Sequence, residues 1–308
     1  MAAVQAILDT LRDDGGPEPP VDVWDPGSPG MVAEDRSGRP VGVACVRPNM
    51  VHPAFLRLAI AVVPPARGRG LGRALLTALE EDLAPRVGLQ TWAWPTGAAA
   101  QRLLGGAGFR PVRRTLTPQI DPRRDALDVR AVPVRRSEDR VAALGDVAPD
   151  ASSRRALALL AHAVYARAHR PDPVAALPAA FWERAVFADD VDRRASLVLL
   201  DALGPAALAL AHRDSGSSGL ELGWRGVAER RRADARAIVV GLSAAQLVHA
   251  RTLGAERLRM EVDDWDTAAM AALDALRFPQ VAALVTWRRA GSRPQATASR
   301  GPETKEPA

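Results

Sequence analysis

The sequence predicts a mixed α/β (α+β) chain with two domains in tandem. Its 308 residues are enough for two domains at the usual ~100–200 residues each. Apolar β-forming runs alternate with amphipathic helical periods in the first half, and the second half repeats the same order of elements. Hydrophobic residues make up 47% of the chain, which is enough to fill two cores and excludes general disorder.

Strand and helix signals in the first half follow a regular order. A hairpin is indicated where two apolar runs flank a polar segment that contains Ser37 and Gly38. Later the apolar period changes, and Leu71, Leu75 and Leu79 share one face of an amphipathic helix. The predicted strands are residues 31–33, 41–46, 55–63, 89–94 and 109–116, and the predicted helices are residues 2–11, a segment from Leu71 onward, and residues 98–104.

The second half repeats this alternation and sets the domain boundaries. Its predicted strands are residues 127–134, 196–203, 206–212, 220–227, 258–262 and 281–287, and its predicted helices are residues 141–168, 179–187, 233–253 and 267–276. We therefore predict a first domain at 1–120, a linker at 121–128 and a second domain at 129–290. Residues 291–308 are polar and rich in Pro, Ser and Thr, so a disordered tail is expected.

The charge pattern argues against a nucleic-acid partner. The formal net charge is +5, from 41 Lys plus Arg against 36 Asp plus Glu, and Lys305 is the only lysine. The arginines alternate with acids, as in residues 135–140, and form no sustained basic face. Aromatic residues make up 4%, which leaves little material for stacking on bases.

Several other classes of protein are not expected. No run approaches the ~18 apolar residues of a membrane span, so no membrane partner is predicted. Residues 1–11 lack the basic start and cleavage site of a signal peptide. Cys45 is the only cysteine and the five histidines lack metal-ligand spacing, so neither disulfides nor a metal is expected. We expect a soluble, cytoplasmic protein.

The strongest chemical signal is the glycine-rich segment between the third strand and the helix at Leu71. Gly68, Gly70 and Gly72 alternate with larger residues, and Arg67 precedes them. A helix start leaves backbone N–H groups unpaired and carries the positive end of the helix dipole, while glycines let an anion approach. The segment predicts a diphosphate site. The alternative is a turn that is merely rich in arginine and glycine, and no Gly-Lys-Ser/Thr follows to make a P-loop.

This segment, together with A-G-F-R-P at residues 107–111, resembles the GCN5-related N-acetyltransferase (GNAT) family. Its R-x-x-G-x-G motif, here Arg67, Gly70 and Gly72, implies a loop that binds the pyrophosphate of acetyl-CoA. The resemblance also implies that the preceding strand offers main-chain hydrogen bonds to the pantetheine. The implied cofactor-binding residues are Ala61, Val62, Val63, Arg67, Gly68, Arg69, Gly70, Leu71, Gly72 and Arg73.

The resemblance covers residues 31–116 and carries the expectations about fold and activity. It implies two GNAT-like domains, each with a mixed, mostly antiparallel twisted sheet flanked by helices. It also implies an N-acetyltransferase that moves an acetyl group from acetyl-CoA, the acyl-donor substrate, to an amine, with a small-molecule acceptor favoured. A non-catalytic acetyl-CoA-binding sensor or scaffold is the alternative.

The second half resembles the same fold in a degenerate form. Where the glycine loop is expected, residues 232–235 read Arg-Ala-Asp-Ala. The carboxylate of Asp234 would repel a diphosphate, and Ala233 and Ala235 would obstruct its approach. We therefore expect this half to be a structural or acceptor-binding partner. The tandem arrangement resembles double acetyltransferases of the mycothiol synthase type.

The catalytic residues are not evident from the motifs. Many GNAT proteins carry a tyrosine as the acid for the leaving thiolate, and here Leu104 takes that position while Gly97 replaces a common asparagine. The only tyrosine, Tyr165, is distant in the sequence. The weak candidates are His52, for which a surface position is the favoured interpretation, and Glu221, for which a solvated strand face is favoured.

Overall fold

The computed structural model describes residues 2–13, 29–83, 88–123, 138–147, 150–214, 218–279, 281 and 283–291. In this part the chain forms two β-sheets flanked by helices. The helices are α1 (Ala2–Asp13), α2 (Leu71–Asp82), α3 (Ala98–Gly106), α4 (Ala151–Ala168), α5 (Ala179–Val186), α6 (Ala235–Thr252) and α7 (Thr267–Ala275). The strands are β1 (Gly30–Glu34), β2 (Pro40–Pro48), β3 (Phe55–Val62), β4 (Gly88–Ala93), β5 (Arg110–Leu116), β6 (Gln119–Ile120), β7 (Arg140–Ala143), β8 (Leu197–Asp201), β9 (Gly204–Arg213), β10 (Gly219–Val227), β11 (Arg257–Met260), β12 (Val262–Asp263) and β13 (Ala283–Arg289).

The first sheet has the strand order β1-β2-β3-β4-β13-β5-β12. Neighbouring strands are antiparallel except β3 and β4, which confirms the expected mixed, mostly antiparallel sheet. The predicted β1–β2 hairpin is present. Its turn contains Gly38 at φ 79°, a conformation that favours glycine, and the Asp35 carboxylate accepts hydrogen bonds from the N–H and hydroxyl of Ser37.

Both faces of the first sheet are covered because its strands alternate two sets of apolar side chains. Leu58 of β3 lies in the same buried cluster as Leu75 and Leu79 of α2. Its neighbour Ala59 lies on the other face, in a cluster with Ile7 of α1. This alternation is the two-residue period of a strand. Each fully buried leucine contributes about 1.5–3 kcal/mol, so the leucine face of α2 holds that helix to the sheet.

The second sheet has the order β6-β11-β10-β9-β8-β7, and only β10 and β11 are parallel among its pairs. The clusters beneath α4 and α5 occupy one face, and those beneath α6 and α7 occupy the other. The two sheets therefore share the plan that the repeated order of elements predicts.

The predicted amino-terminal boundary of the helix at residues 141–168 is wrong. Residues 141–143, which we expected to be helical, belong to β7 and pair with β8. Helix α4 begins only at Ala151, where the Asp150 carboxylate caps the helix by accepting a hydrogen bond from the Ser153 N–H at 2.8 Å. The local sequence tolerates either structure, and pairing with the sheet decides between them.

Each sheet contains a strand from the other part of the chain. Strand β13 lies between β4 and β5 of the first sheet and pairs with both. Strand β12 also joins this sheet, beside β5. Conversely, β6, which follows β5 in the chain, pairs with β11 at the edge of the second sheet, where Ile120 lies opposite Leu258. The two halves are therefore joined by shared sheets and not by a simple linker.

This exchange of strands differs from the predicted organisation, in which a linker at residues 121–128 separates two domains. Residues 119–120 already belong to the second sheet, and Arg123 bridges Asp121 and Glu256. Strands β12 and β13, placed in the second domain by the sequence, belong to the first sheet. The predicted strand at 127–134 and residues 292–308 of the predicted tail lie outside the described residues.

A fragment ending at residue 123 should not fold alone. Without β13, both β4 and β5 lose a neighbouring strand, and the buried Thr286 is missing from the sheet. We expect residues 1–123 to give no cooperative urea transition by circular dichroism, and co-expression with residues 124–308 to restore one. An isolated 1–123 fragment that unfolds at the midpoint of the full chain would contradict the exchange.

Candidate functional site

The glycine-rich loop connects β3 to α2. After Val62 the chain makes a 3₁₀ turn at Pro64–Ala66, and Gly68 and Gly70 then adopt φ values of 76° and 79°. A Cβ at either glycine would meet no atom within 4 Å, so backbone conformation, and not crowding, is what favours glycine there. Helix α2 starts at the next residue, so its unpaired N–H groups open onto the loop.

Strands β3 and β4 run parallel but separate before they end. They pair over three positions, from Phe55 opposite Gly88 to Arg57 opposite Gln90. Beyond this point β3 continues for five residues without a ladder to β4, up to Val62. A gap therefore opens between the two strands in the direction of the glycine loop, and one edge of β3 faces it.

Peptide groups along β3 alternate between this gap and β2. The N–H of Val63 donates to β2 at 3.0 Å, so the peptide groups of Ala61 and Val63 are directed into the sheet. Those of Ile60 and Val62 face the gap, and the Val62 carbonyl accepts a hydrogen bond from Arg67 Nε at 2.9 Å. Of residues 61–63, only Val62 directs its peptide group into the gap, and the peptide group of Ile60 faces the gap as well.

The loop and the gap lie next to each other, and we call this arrangement of loop and helix start the anion cradle because of its charge and open N–H groups. Arg67, Arg69 and Arg73 are exposed around the loop, and the dipole of the 12-residue α2 adds positive potential at its start. A Cβ at Gly72 would come within 3.0 Å of Leu103 Cδ2, so this glycine allows α2 and α3 to pack closely. The arrangement suits a ligand with a diphosphate at one end and an amide-bearing chain at the other.

A second group of polar side chains lies where the two halves meet. His52, in the loop between β2 and β3, is only 6% exposed. Its Nδ1 lies 2.9 Å from the carbonyl oxygen of Asp172, and its Nε2 lies 2.8 Å from the hydroxyl of Tyr165. Because a carbonyl can only accept, Nδ1 carries the proton, and Nε2 accepts a hydrogen bond from Tyr165.

Burial keeps these side chains neutral. Burial lowers the pKa of His52, although the Asp172 carboxylate, 3.6 Å from Nδ1, opposes the shift. Burial also lowers the pKa of His169, which stacks on Tyr165, to about 4. It raises the pKa of Tyr165 to about 12. At neutral pH the group presents an uncharged imidazole and a protonated phenol.

Ion pairs and aromatic rings hold this region in place. Arg288 of β13 places Nη2 2.6 Å from Asp172 Oδ2 and donates from Nε to Gln90 of β4 at 2.7 Å. Arg113 of β5 pairs with Asp263 of β12 at 3.3 Å. The rings in contact with Tyr165 are those of His52, His169, Trp182 and Trp224. We call His52, Tyr165, His169, Asp172 and Arg288 the interface cluster.

The amino-terminal part of the chain matches a known family. Residues 3–109 match the family described as Acetyltransferase (GNAT) family, and the match contains the glycine loop, the diverging strands and α2. This part of the chain is therefore similar to that family. The similarity favours acyl transfer as the general activity.

Solved structures resemble the whole chain. A GCN5-related N-acetyltransferase from Sphaerobacter thermophilus superposes with a TM-score of 0.69 at 17% identity, covering 94% of this chain and 91% of its own. A tandem GNAT protein from the clavulanic acid biosynthesis pathway, solved without AcCoA, gives 0.60 at 17% identity, covering 95% and 96%. A GNAT-family acetyltransferase from Colwellia psychrerythraea gives 0.55 at 14%, covering 86% and 87%. The likeness shows a tandem GNAT fold, whereas no curated protein matches the sequence.

The second half keeps the GNAT plan without its anion cradle. The connection from β10 to α6 is a 3₁₀ helix, Glu229–Asp234, that runs directly into α6. All residues from 228 to 235 are described, and none has a positive φ. Arg231 is buried in this connection, with two 2.8 Å hydrogen bonds to Asp139 and one of 3.3 Å to Asp234. The carboxylates of Asp139 and Asp234 therefore neutralise the positive charge of Arg231, which would otherwise be available to attract a diphosphate.

A side chain of the second half lies at the point where β10 and β11 separate. These strands pair only from Gly219 to Leu222. Just beyond, the buried Arg225 donates from Nε and Nη2 to the Gly223 carbonyl, at 3.1 and 2.8 Å, and from Nη1 to Ser243 at 3.2 Å. Burial lowers the pKa of Arg225 to about 10. A guanidinium thus contacts β10 at the place where the first half leaves the corresponding strand edge open.

The two catalytic candidates have different surroundings. Glu221 forms an ion pair with Arg259 on the neighbouring strand of the second sheet. The interpretation of His52 as a surface residue is wrong, because the second half covers it. Sequence reasoning also missed Tyr165, which reaches His52 across 113 positions. The one signal for it was its being the only tyrosine in the chain.

Two further findings concern ligands and membranes. Within the residues that the structure describes, no three His, Cys, Asp or Glu side chains are grouped so that they could hold a metal ion. In the same residues, no helix has the length and apolar character that a bilayer span requires. Cys45 is a buried thiol, and burial raises its pKa to about 11.

Stability should fall as the pH drops below about 6.5, because His169 and His52 are less basic in the folded chain than in the unfolded one. The unfolded state then binds more protons. We expect His169→Phe, which keeps a ring against Tyr165, to reduce this dependence between pH 6.5 and 4 by up to ~1.4 kcal/mol per pH unit. Urea titrations at several pH values measure it, and an unchanged slope in the variant would contradict the assignment.

Proposed function

We propose that the chain is an N-acetyltransferase that binds acetyl-CoA in its first domain and transfers the acetyl group to an amine of a small molecule. The observation that carries the proposal is the loop with Gly68 and Gly70 at positive φ, placed between a diverging strand pair and the start of α2. The second half lacks this combination, so the proposed stoichiometry is one acetyl-CoA per chain.

Each part of the site has a role in this proposal. The N–H groups at the start of α2, from Gly70 to Arg73, would bind the pyrophosphate, with Arg67 and Arg69 adding charge. The gap-facing peptide groups of Ile60 and Val62 would bind the amides of the pantetheine arm. This arm would run toward the point where β3 and β4 first separate, and the thioester would lie there.

The acceptor would reach the thioester from the face of the first sheet opposite α2. Gln90, Trp92 and Thr286 share that face, because they alternate with the residues that pack under α2. The interface cluster closes the same face. Acceptor specificity would therefore come from both halves of the chain. This placement agrees with the family's acyl-transfer chemistry and with the absence of a cradle in the second half.

Acetyl-CoA binding and turnover separate the enzyme from the alternative, an acetyl-CoA sensor or scaffold. We expect calorimetry to give one site per chain and a thiol-release assay with a panel of amino sugars, amino acids and alkylamines to give acceptor-dependent release of CoA. Binding without release for any amine would favour the sensor. Two equivalent sites would contradict the assignment of the second half.

Gly70→Asp should abolish acetyl-CoA binding with little change in the fold. The open space at this position admits the side chain, but the carboxylate would face the diphosphate and satisfy N–H donors of α2 itself. Losing two charged hydrogen bonds of ~1.5–3 kcal/mol each weakens binding roughly a hundredfold or more.

Gly70→Asn is the matched control, because it has the same backbone strain without the charge, and it should lose less affinity. Asp234→Gly in the second half should not create a second site, since Arg231 and the 3₁₀ helix remain. Calorimetry and thermal unfolding of the three variants test this. Near-native binding by Gly70→Asp would show that the cofactor lies elsewhere.

A further inference from the structure

We propose that Tyr165 and His52 act together as the proton acceptor for the incoming amine, with the tyrosine supplied by the second half of the chain. This inference rests on the acetyl transfer proposed above and adds the group that the motifs of the first domain do not provide. The observation is a directed pair of hydrogen bonds, from the Tyr165 hydroxyl to His52 Nε2 and from His52 Nδ1 to the Asp172 carbonyl.

The pair lies at the segment that leads into β3, before the three residues of β3 that pair with β4. His52 is three residues before β3, in a loop held by the Asn49 side chain, whose Oδ1 accepts the N–H groups of residues 51 and 52 at 3.1 Å. Arg57 is the last residue of β3 that pairs with β4, and its charge acts on the Tyr165 hydroxyl, as does that of Arg113. The proposal places the thioester within reach of this phenol.

The direction of the hydrogen bonds defines what Tyr165 can do. Its single proton is donated to His52, so its oxygen retains lone pairs that can accept a hydrogen bond. A tyrosine that served as acid for the leaving thiolate would have to direct its proton to sulfur instead. The observed orientation therefore suits acceptance of a proton from an ammonium group.

The proton transfer balances without another reactant. The acceptor ammonium gives a proton to the Tyr165 oxygen while the phenolic proton moves to His52 Nε2, which leaves a neutral amine, a neutral phenol and an imidazolium. The amine nitrogen then forms a C–N bond to the acetyl carbon, and the C–S bond breaks. The CoA thiolate takes up the nitrogen's remaining extra proton, and the imidazolium releases its proton to solvent.

Asp172 is placed to stabilise the imidazolium. Its carboxylate is 1% exposed, and Oδ2 lies 3.6 Å from His52 Nδ1. Its buried Oδ1 has no hydrogen-bond partner among the residues that the structure describes. Arg288 holds the segment by contacting Oδ2 at 2.6 Å and the Pro171 carbonyl at 3.0 Å. Asp172 and Arg288 are thus positioning residues, whereas Tyr165 would contact the acceptor.

The charged and titratable groups that act on His52 come from both halves. Asp172 favours the imidazolium, whereas Arg113 opposes it, and the His169 ring packs at 5.0 Å between centroids. These opposing charges leave burial as the dominant influence on the imidazole. His52 therefore presents a neutral imidazole whose Nε2 can take up the Tyr165 proton.

Tyr165→Phe tests the pair because it removes one oxygen and keeps the ring contacts. With the best amine from the acceptor panel at pH 7, we expect kcat/KM to fall ~10²–10⁴-fold, with unchanged acetyl-CoA affinity. The loss should shrink as the pH approaches the pKa of the amine, because the free amine then needs no base. His52→Asn should lose a similar amount, and the double variant no more than the worse single variant.

The control is His162→Phe, which replaces a ring stacked on Trp182 in the same aromatic region without touching the pair. It should keep near-native kcat/KM. A Tyr165→Phe loss that matches this control, or that is the same at every pH, overturns the proposal. Acetyl-CoA binding without acetylation of any amine also overturns it and leaves the cofactor site intact. Failure to bind acetyl-CoA instead overturns the proposed function itself.

Discussion

The pairing of β13 with both β4 and β5 completes the first sheet and also fixes the contact between the two halves. Arg288 belongs to this strand and reaches Gln90 on one side and Asp172 on the other. A sheet made of local strands alone would leave β4 and β5 unpaired at their facing edges. The loop that carries Asp172 is therefore held by Arg288, which belongs to a strand with hydrogen-bonded neighbours on both sides. The same contact holds the interface cluster against the first sheet.

The two halves show how one fold can hold an open site and a closed one. In the first, glycines at positive φ expose the start of α2, and the strand edge beyond Arg57 faces a gap. In the second, a 3₁₀ helix runs straight into α6, and Arg231 is neutralised by Asp139. Buried arginine needs such partners because an unpaired charge in the interior is costly. In the second half, the paired side chains of Arg231 and Asp139 thus lie at the connection that the first half leaves open.

Local features were predictable from the sequence, and long-range contacts were not. The hairpin at Gly38, the amphipathic face of α2 and the glycine-rich turn before that helix depend on a few neighbouring residues, and the structure contains all of them. The start of α4, the exchanged strands and the burial of His52 depend on partners far along the chain. No period or propensity encodes such a pairing, so a histidine expected at the surface is enclosed by residues 113 and 120 positions away.

The charge of the surroundings favours a neutral base over a carboxylate at this interface. Arg57 and Arg113 act on the Tyr165 hydroxyl, and Arg288 already binds Asp172. A carboxylate among these guanidinium groups would be engaged in ion pairs, as Asp172 is with Arg288, and its oxygens would be less available to a proton. The pKa of the His52 imidazole is lowered by burial and by Arg113, whereas the Asp172 carboxylate opposes this shift. The arginines that close the sheet face thus restrict the chemistry to a neutral acceptor, and the exchanged strand that supplies one of them also holds the carboxylate in place.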